Sequence, residues 1–394
     1  MRSHDVAPLR ILLTIHHDLD LNTGAPGSTL QLGNALRSQG HQVSVVGFDN
    51  LPVDLGPRLN QITFPMYVAA HVKHLLRRGL VDVVDASTGD LSLLPHVAIS
   101  KARAIVVTRS HGLDHLAHLE MIDAAERGDL TLSRRYFIYH GGIQLSQVTR
   151  SLRIADFSVF NNPAERQWAI DHLRVRPDHS AAAPNGVAPE LIGLPLGDSD
   201  AVPRIAILGG FSWRKGAETA GAVLSEVLKR MPRAEASWLG ADPTEVSRAL
   251  VPSVRDRVKV LPRYEVVELP SLLHKHEILL FLSRMEGFGI VVIEGMACGL
   301  VPVASDIPGP RDILNGKDAG ILVPAGDVGA AVDAVNYLLE HPEERQRMRQ
   351  RGHTLAQDYS YEAIADGRVA LYRRLLSDKA AQRRRSDLTE RLSE

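Results

Sequence analysis

Two glutamates flank a glycine-rich loop in a segment whose residue types and spacing could support chemistry. The segment Phe281–Pro310 reads FLSRMEGFGIVVIEGMACGLVPVASDIPGP. Its pattern predicts a strand end, a loop over Glu286-Gly287-Phe288-Gly289, a helix from about Ile290 to Cys298, and a second strand from Val301 to Ser305. This order is typical of a βαβ unit, whose loop lies at the carboxyl end of a parallel strand, where open α/β sheets bind ligands.

The chemistry of this loop favours an anionic, polyhydroxylated ligand. Gly287 and Gly289 let a phosphate or a sugar approach the backbone, and the following helix aims amide groups and a positive dipole end at it. Glu294, eight positions after Glu286, is about two helical turns along, where its carboxylate can accept hydrogens from hydroxyl groups. A phosphorylated sugar would use both features.

Cations follow a second glycine loop. The predicted strand Arg204–Leu208 leads into Gly209-Gly210-Phe211-Ser212-Trp213-Arg214-Lys215-Gly216 and then into a helix. Arg214 and Lys215 are therefore well placed to hold a diphosphate.

These motifs resemble a known signature. Ser283, the Glu286–Gly289 loop, Glu294 and Cys298-Gly299 followed by Pro302-Val303 are similar to the pattern of retaining nucleotide-sugar glycosyltransferases of the GT-B fold, family 4. The resemblance implies an α/β protein with two Rossmann-like, doubly wound parallel-sheet domains that face a cleft. It also implies an enzyme, a hexosyl- or related transferase, that moves a sugar from a nucleotide-diphosphate sugar to a hydroxyl acceptor on a glycan, glycolipid or small molecule.

The same resemblance implies roles for individual residues. Lys215 and Arg214 would neutralise the diphosphate, Glu294 would hold ribose hydroxyls and Glu286 would lie near the donor sugar. His111, after the predicted strand Ala104–Thr108, resembles the histidine beside the donor sugar and the acceptor. The predicted catalytic set is His111, Lys215 and Glu286, and the predicted donor-binding set is Gly24, Arg214, Lys215, Glu286, Gly287, Phe288, Gly289, Ile290 and Glu294.

Two positions depart from the family pattern. Members usually carry a Gly-Gly pair before their first helix, where this chain has Thr23-Gly24, ahead of a helix predicted from Ser28 to about Ser38. The second glycine loop usually contains an arginine at the position of Phe211, and Arg214 is a substitute from a neighbouring position.

The length of 394 residues favours two domains. We predict residues 1–187 as an acceptor domain, residues 188–202, rich in proline, glycine and aspartate, as a linker, and residues 203–357 as the donor domain. Residues 358–377 are predicted as a helix that crosses back to the first domain, and residues 378–394 as a solvated tail.

The composition argues against several classes of protein. A formal net charge of -1 argues against nucleic acid as a partner. The single cysteine, Cys298, allows no internal disulfide and indicates a buried, reduced thiol in a cytoplasmic protein. We find no signal peptide and no apolar run long enough to span a membrane. The basic helix predicted over residues 65–78 leaves two interpretations open, namely peripheral contact with the inner membrane face or an ordinary solvated surface.

Other functions remain as alternatives. A sugar-nucleotide epimerase or a phosphorylase could share the fold, as could a non-catalytic sugar-nucleotide-binding protein. A dehydrogenase is set aside because no Gly-x-Gly-x-x-Gly follows a strand. Asp18-x-Asp20 and Asp198-x-Asp200 match a metal-binding pattern formally, but we predict neither a metal nor a cofactor because Lys215 can stabilise the leaving group.

Overall fold

The computed structural model describes residues 7–197 and 202–393. It contains two compact units. Unit 1 comprises the described residues of Met1–Pro184 and Tyr361–Glu394, and unit 2 is Asn185–Ser360. The chain therefore enters unit 2 once and returns to unit 1 for its last helix.

Unit 1 is built on a six-stranded parallel sheet in the order β2-β1-β3-β4-β5-β6. Three of its central strands are buried along their whole length, as expected for a sheet covered by helices on both faces. The strands are β1 (Arg10–Thr14), β2 (Gln42–Val46), β3 (Val83–Ser87), β4 (Ile105–Arg109), β5 (Phe157–Phe160) and β6 (Ser180–Ala182).

The helices of unit 1 connect these strands and include the last helix of the chain. They are α1 (Gly24–Ser38), α2 (Pro57–Arg78), α3 (His96–Ser100), α4 (Asp114–Glu126), α5 (Arg134–Ile138), α6 (Leu145–Ile154), α7 (Pro163–Leu173) and α15 (Tyr361–Ser393). A turn of π-helix over Tyr139–Gln144 joins α5 to α6.

Unit 2 has a second six-stranded parallel sheet, in the order β12-β11-β10-β7-β8-β9. Its strands are β7 (Arg204–Leu208), β8 (Glu235–Leu239), β9 (Val258–Leu261), β10 (Ile278–Phe281), β11 (Val301–Ser305) and β12 (Ile321–Val323). Its helices are α8 (Ala217–Arg230), α9 (Pro243–Ala249), α10 (Leu269–Leu272), α11 (Ile290–Ala297), α12 (Pro308–Leu314), α13 (Val328–Glu340) and α14 (Pro342–Gln357). The predicted α/β class with doubly wound parallel sheets is confirmed.

The strand orders determine where each unit can bind a ligand. Counted within unit 2, the strand order is 3-2-1-4-5-6. The order in which strands are added to the sheet therefore reverses between the first and fourth strands, β7 and β10. In unit 1 the corresponding reversal lies between β1 and β3. The loops that leave such neighbouring strands go to opposite faces of the sheet and open a crevice at its carboxyl edge.

Two helices begin earlier than the sequence predicts. α1 starts at Gly24 rather than at Ser28, so Gly24 is the first helical residue instead of part of a loop. α2 starts at Pro57, and Pro65, its predicted first residue, is buried inside it. The predicted starts are too late because glycine and proline usually mark boundaries, whereas Pro26 lies in the first turn of α1, where its missing N–H removes no helical bond.

The end of the chain also differs from the prediction. α15 continues to Ser393, beyond the predicted helix end at residue 377. Lys379 explains part of this extension, because its ammonium donates to the carbonyl oxygens of Ile99 and Ala104 and pairs with Asp156 at 2.7 Å. From Tyr361 to Lys379, about five turns of α15 are thus attached to unit 1 on one side.

Two further predictions can be placed in the structure. Ala188 and Leu191, in the predicted linker, are buried in the core of unit 2. Cys298 is half-buried rather than buried. Residues 198–201 of the predicted linker, with the Asp198-x-Asp200 pattern, lie outside the described residues.

Candidate active site

The crevice of unit 2 contains an ion pair between the two glycine loops. Lys215 lies in the loop after β7, and Glu286 lies in the loop after the neighbouring strand β10. The Lys215 ammonium is 2.7 Å from Glu286 Oε2, and 23% and 17% of the two side chains are exposed. Lys215 also stands 5.6 Å from the centre of the Phe281 ring. The structure therefore brings together two of the three predicted catalytic residues, 71 positions apart.

Gly216 allows these two loops to meet. Its backbone is left-handed, with φ 64°, and it precedes α8. A Cβ on Gly216 would be 1.9 Å from the carbonyl oxygen of Leu282, which is the residue after β10. No other residue type fits such an approach, so the Lys-Gly pair couples a cation to a backbone that packs directly on the neighbouring strand.

The glycine loop at Glu286 leads directly into α11. Gly289 has φ 95° and is the N-cap of this helix, so the positive end of the helix dipole lies at the Glu286–Gly289 loop. Phe288 is buried beside it, and a Cβ on Gly309 would come within 2.4 Å of the Phe288 carbonyl oxygen. The loop is therefore held between β10 and the start of α12, with Ile290 as the first helical residue.

Glu294 is a buried carboxyl group close to the ion pair. Only 7% of the residue is exposed, and within the described part of the chain its carboxylate oxygens accept no hydrogen bond. Burial raises the pKa of Glu294 from 4.5 to about 7, although the nearby charge of Lys215 acts in the opposite direction. A group that donates hydrogen bonds to this carboxylate would stabilise its charged form.

Tyr264 is a neighbour of Glu294 that the sequence analysis did not identify. Burial and then the charge of Glu294 raise the pKa of the Tyr264 hydroxyl. The ring packs against Gly240, where an added Cβ would lie 3.2 Å from the Tyr264 ring. An aromatic residue shortly after the end of β9 is the signal that could have identified it.

Besides Lys215, the crevice region of unit 2 has a further cation, Arg284, in the loop after β10. Arg284 is half-buried and its guanidinium lies 5.1 Å from the centre of the Trp213 ring. The backbone N–H of Arg284 donates to the backbone carbonyl oxygen of Arg214, whose own side chain is exposed. Arg284 is thus a further cation beside the loop that carries Arg214, and its place just beyond a buried strand is the signal that could have identified it.

In unit 1, His111 follows β4 and lies against a buried arginine. Arg109 Nε donates to His111 Nε2 at 3.3 Å. Within the described residues, His111 Nδ1 is buried and has no hydrogen-bond partner. Burial, followed by the charges of Arg109 and other nearby cations, lowers the pKa of His111 well below 6.5, so the imidazole is neutral at neutral pH.

The crevice of unit 1 holds a second pair that the sequence analysis missed. His16 follows β1 and Asp90 follows β3, and His16 Nδ1 lies 2.9 Å from Asp90 Oδ1. The other Asp90 oxygen accepts a hydrogen bond from Thr14 at 2.5 Å. Burial lowers the pKa of His16, but Asp90 and Asp114 outweigh it and the net pKa is raised. The two residues are 74 positions apart, and no local pattern could have joined them.

The remaining predicted positions are less constrained. Gly24 has open space around its α-carbon, so that nothing in unit 1 requires a glycine there for packing. In the described part of the chain, no three histidine, cysteine, aspartate or glutamate residues are grouped to hold a metal ion. Asp18 and Asp20 lie in the loop before α1, where Asp20 accepts a hydrogen bond from the Asn22 amide.

Sequence comparison identifies the class of the chain. Residues 200–354 match the family described as glycosyl transferases group 1. A phosphatidyl-myo-inositol mannosyltransferase of Mycobacterium leprae is 23% identical over 391 residues, which cover 92% of this chain and 96% of that protein. The chain is a glycosyltransferase. A D-inositol 3-phosphate glycosyltransferase of Kineococcus radiotolerans is 26% identical to it over 58% of this chain and 59% of that protein.

Solved structures show the fold of the glycosyltransferase. A sucrose-phosphate synthase from Thermosynechococcus elongatus superposes with a TM-score of 0.74 at 20% identity, covering 94% of this chain and all of that one. Anabaena HepE in complex with UDP superposes with a TM-score of 0.64 at 19% identity, covering 92% and 99%. The predicted GT-B fold is confirmed, while family 4, the retaining stereochemistry and the roles of single residues remain predictions.

The buried carboxyl of Glu294 predicts a pH-dependent stability. The pKa of Glu294 is about 7 in the folded protein and 4.5 ordinarily. The stability gained from its protonation is therefore fully present below pH 4.5 and is lost as the pH rises through about 7. The free energy of unfolding of the parent, relative to Glu294→Gln, should fall by up to about 3 kcal/mol between pH 5 and pH 8. Urea unfolding of both proteins at each pH measures this difference. Parallel pH profiles for the two proteins would contradict the assignment.

Proposed function

We propose that this glycosyltransferase transfers a sugar from a nucleotide-diphosphate sugar to a hydroxyl acceptor, with retention of anomeric configuration and without a divalent metal. The observation that carries the proposal is the Lys215–Glu286 pair at the carboxyl edge of unit 2, between two glycine loops and beside the dipole end of α11. A ligand with an anionic part and a hydroxylated part matches this combination.

Each part of a donor has a chemical counterpart in unit 2. Lys215 and the amides at the start of α11 suit a diphosphate, which gains negative charge as its bond to the sugar breaks. The Glu286 carboxylate suits hydroxyl groups of the sugar, and Glu294 suits the ribose hydroxyls, which would supply the hydrogen bonds that this buried carboxyl lacks. UDP is bound by Anabaena HepE, whose fold is similar, and this supports a nucleotide donor here.

The metal-independent mechanism rests on the chemistry of the leaving group. In metal-dependent transfer a divalent cation offsets the growing charge on the diphosphate, whereas here an ammonium and oriented amides can do so from fixed positions. Arg284 and Arg214 contribute further positive charge around the same loop. The retention claim is supported by the match of residues 283–303 to the signature of retaining family 4 enzymes.

We assign binding of the acceptor to unit 1. His16, oriented by Asp90, keeps its Nε2 free of protein partners in the described part of the chain, and 29% of its side chain is exposed. An imidazole held in this way can bind a hydroxyl group. Relatives named for phosphatidyl-myo-inositol and for D-inositol 3-phosphate support a cyclic polyol as acceptor, so inositol derivatives are the first candidates.

The function is tested by donor screening followed by product analysis. Thermal shift with UDP-, GDP- and ADP-sugars should identify one donor, because a ligand at a hundred times its Kd stabilises by about 2.7 kcal/mol. That donor should then glycosylate myo-inositol, inositol phosphate or phosphatidylinositol, with the donor's anomeric configuration in the NMR spectrum and undiminished activity in EDTA. An inverted product, or activity lost in EDTA and restored by Mg²⁺, would overturn the mechanism.

The alternatives have distinct outcomes in the same assay. An epimerase would release nucleotide from the donor without any acceptor, and a phosphorylase would depend on inorganic phosphate. Release of nucleotide that requires the hydroxyl acceptor and is indifferent to phosphate is the result expected for a transferase.

The site predicts different kinetic effects for substitutions of Lys215, in the ion pair, and of the nearby Glu294. Lys215→Ala should lower kcat by about 10²–10³-fold with a smaller change in donor KM, because the ammonium matters most when the diphosphate leaves. Glu294→Gln should mainly raise donor KM. Lys229→Ala, which removes an exposed lysine from α8, is the control and should change neither constant. Equal kcat values for Lys215→Ala and the parent would refute the role of Lys215.

We also propose that α2 contacts the inner face of an anionic membrane. One side of this helix exposes Leu59, Ile62 and Met66, followed by Lys73 and Arg77 at helical spacing. Apolar side chains that continue into cations on one helix face match the boundary between acyl chains and acidic headgroups. Among the helices of the described residues, none has the length and apolar character needed to cross a bilayer.

Vesicle binding tests this surface. The parent should sediment with phosphatidylglycerol vesicles and much less with phosphatidylcholine vesicles, because the cations of α2 attract anionic headgroups. The double substitution Ile62→Glu and Met66→Glu should reduce binding at least about tenfold. Val267→Glu, which alters an exposed apolar side chain in unit 2, should bind like the parent. Equal sedimentation of all three proteins would exclude α2 as the contact.

A further inference from the structure

A buried row of polar side chains connects α15 to His111 inside unit 1. The Tyr372 hydroxyl donates to Asp85 Oδ2 at 2.5 Å, and Arg109 Nη1 donates to Asp85 Oδ1 at 3.2 Å. Arg109 Nε in turn donates to His111 Nε2 at 3.3 Å. Tyr372, Asp85 and Arg109 are almost completely buried, so water cannot replace these contacts.

Arg109 is held in one orientation by three partners. Besides its bonds to Asp85 and His111, its Nη2 donates to the Thr29 hydroxyl at 3.2 Å. The guanidinium is planar and all its nitrogens are donors, so these three bonds leave it little freedom to rotate. The position of Nε–H relative to the imidazole is therefore set by the sheet and by α15.

This orientation determines where the proton of His111 lies. An arginine cannot accept a hydrogen bond, so the imidazole nitrogen that faces Arg109 Nε must be an acceptor without a hydrogen. In a neutral imidazole the hydrogen is then on the other nitrogen, Nδ1. The imidazole is neutral because burial and the charges of Arg109, His16, Arg368 and His17 all disfavour its protonated form.

His111 Nδ1 is therefore a buried donor that lacks an acceptor in the described part of unit 1. A buried donor without a partner is unfavourable, and folded proteins keep such groups rarely. A ligand oxygen that arrives beside Nδ1 would remove this cost, so the geometry preorganises unit 1 for an oxygen acceptor rather than for a hydrogen-bond donor.

We propose that Arg109, positioned by Asp85 and Tyr372, fixes His111 in the Nδ1–H tautomer so that His111 donates a hydrogen bond to an oxygen of the bound substrate. The identity of that substrate rests on the proposed function, and a sugar or acceptor hydroxyl oxygen is the chemical class expected. Arg109, Asp85 and Tyr372 are positioning residues that act through His111. α15, the final helix of the chain, thereby contributes to the active site from behind the sheet.

The tautomer can be measured without any substrate. In protein labelled with ¹⁵N-histidine, two-bond ¹H–¹⁵N correlations distinguish Nδ1–H from Nε2–H, and the His111→Gln spectrum assigns the signals. We expect Nδ1–H for the parent at pH 7.5 and a shift towards Nε2–H in Arg109→Met. An Nε2–H tautomer in the parent would overturn the proposal whatever the behaviour of the variants.

Tyr372→Phe provides a milder variant, since it removes only the hydroxyl that holds Asp85. We expect a measurable loss of the Nδ1–H tautomer and a kcat about tenfold lower, as for the loss of one buried hydrogen bond, with donor KM within about twofold. Tyr361→Phe, which changes a buried tyrosine at the start of the same helix, is the control and should alter neither the tautomer nor kcat.

The outcomes separate this proposal from a purely structural role and from the proposed function. If the row only supported folding, Tyr372→Phe would lower the unfolding temperature while the tautomer and kcat of the folded protein stayed as in the parent, and the proposal would fail. If no nucleotide sugar is turned over by the parent, the proposed function fails, but the NMR result still decides whether Arg109 fixes His111.

Discussion

The contact between the α-carbon of Gly216 and the carbonyl oxygen of Leu282 is the constraint on which the crevice of unit 2 depends. It joins the loop after β7 to the end of β10, the two neighbours at which the strand order of unit 2 reverses. Any side chain at Gly216 would force the loops apart, and the Lys215–Glu286 pair would be lost with them. The ion pair is thus a consequence of backbone packing rather than a cause of it.

Both units use burial to shift the pKa of a titratable group towards its uncharged form. In unit 2, desolvation raises the pKa of Glu294 to about 7, and in unit 1 desolvation and nearby cations lower the pKa of His111. His111 Nδ1 has no hydrogen-bond partner in the described part of the chain. Such groups are costly in a folded protein, and functional sites are where they are usually retained because a ligand supplies the partner.

In both sheets, the reversal of strand order brings together side chains from two neighbouring loops. In unit 2 it brings Lys215 to Glu286, and in unit 1 it brings His16 to Asp90. Each pair comes from the loops of two strands that are adjacent in the sheet but distant in the chain. In the proposed function, unit 2 would present a cation for the leaving group and unit 1 an oriented imidazole for a hydroxyl group. This division of tasks agrees with a transferase that handles two substrates.

The sequence alone determined many local elements of this protein and the residue types of the two glycine loops in unit 2. The strands β7 and β11 have their predicted bounds, because short apolar runs between glycine and proline can be recognised without tertiary contacts. The glycine loop before Ile290 and its helix were predicted for the same reason. Where packing overrides local preference, as at Pro65 inside α2, the prediction was wrong.

Only the tertiary structure decided which distant residues meet. The three-residue strands β6 and β12 carry too little signal to be predicted, and without the strand order nothing relates His16 to Asp90 or Tyr372 to Asp85, which are 74 and 287 positions apart. Burial, and with it the pKa of Glu294, also depends on residues brought together from several strands. The physical reason is that backbone preferences act over a few residues, whereas strand pairing and desolvation are properties of the whole packed unit.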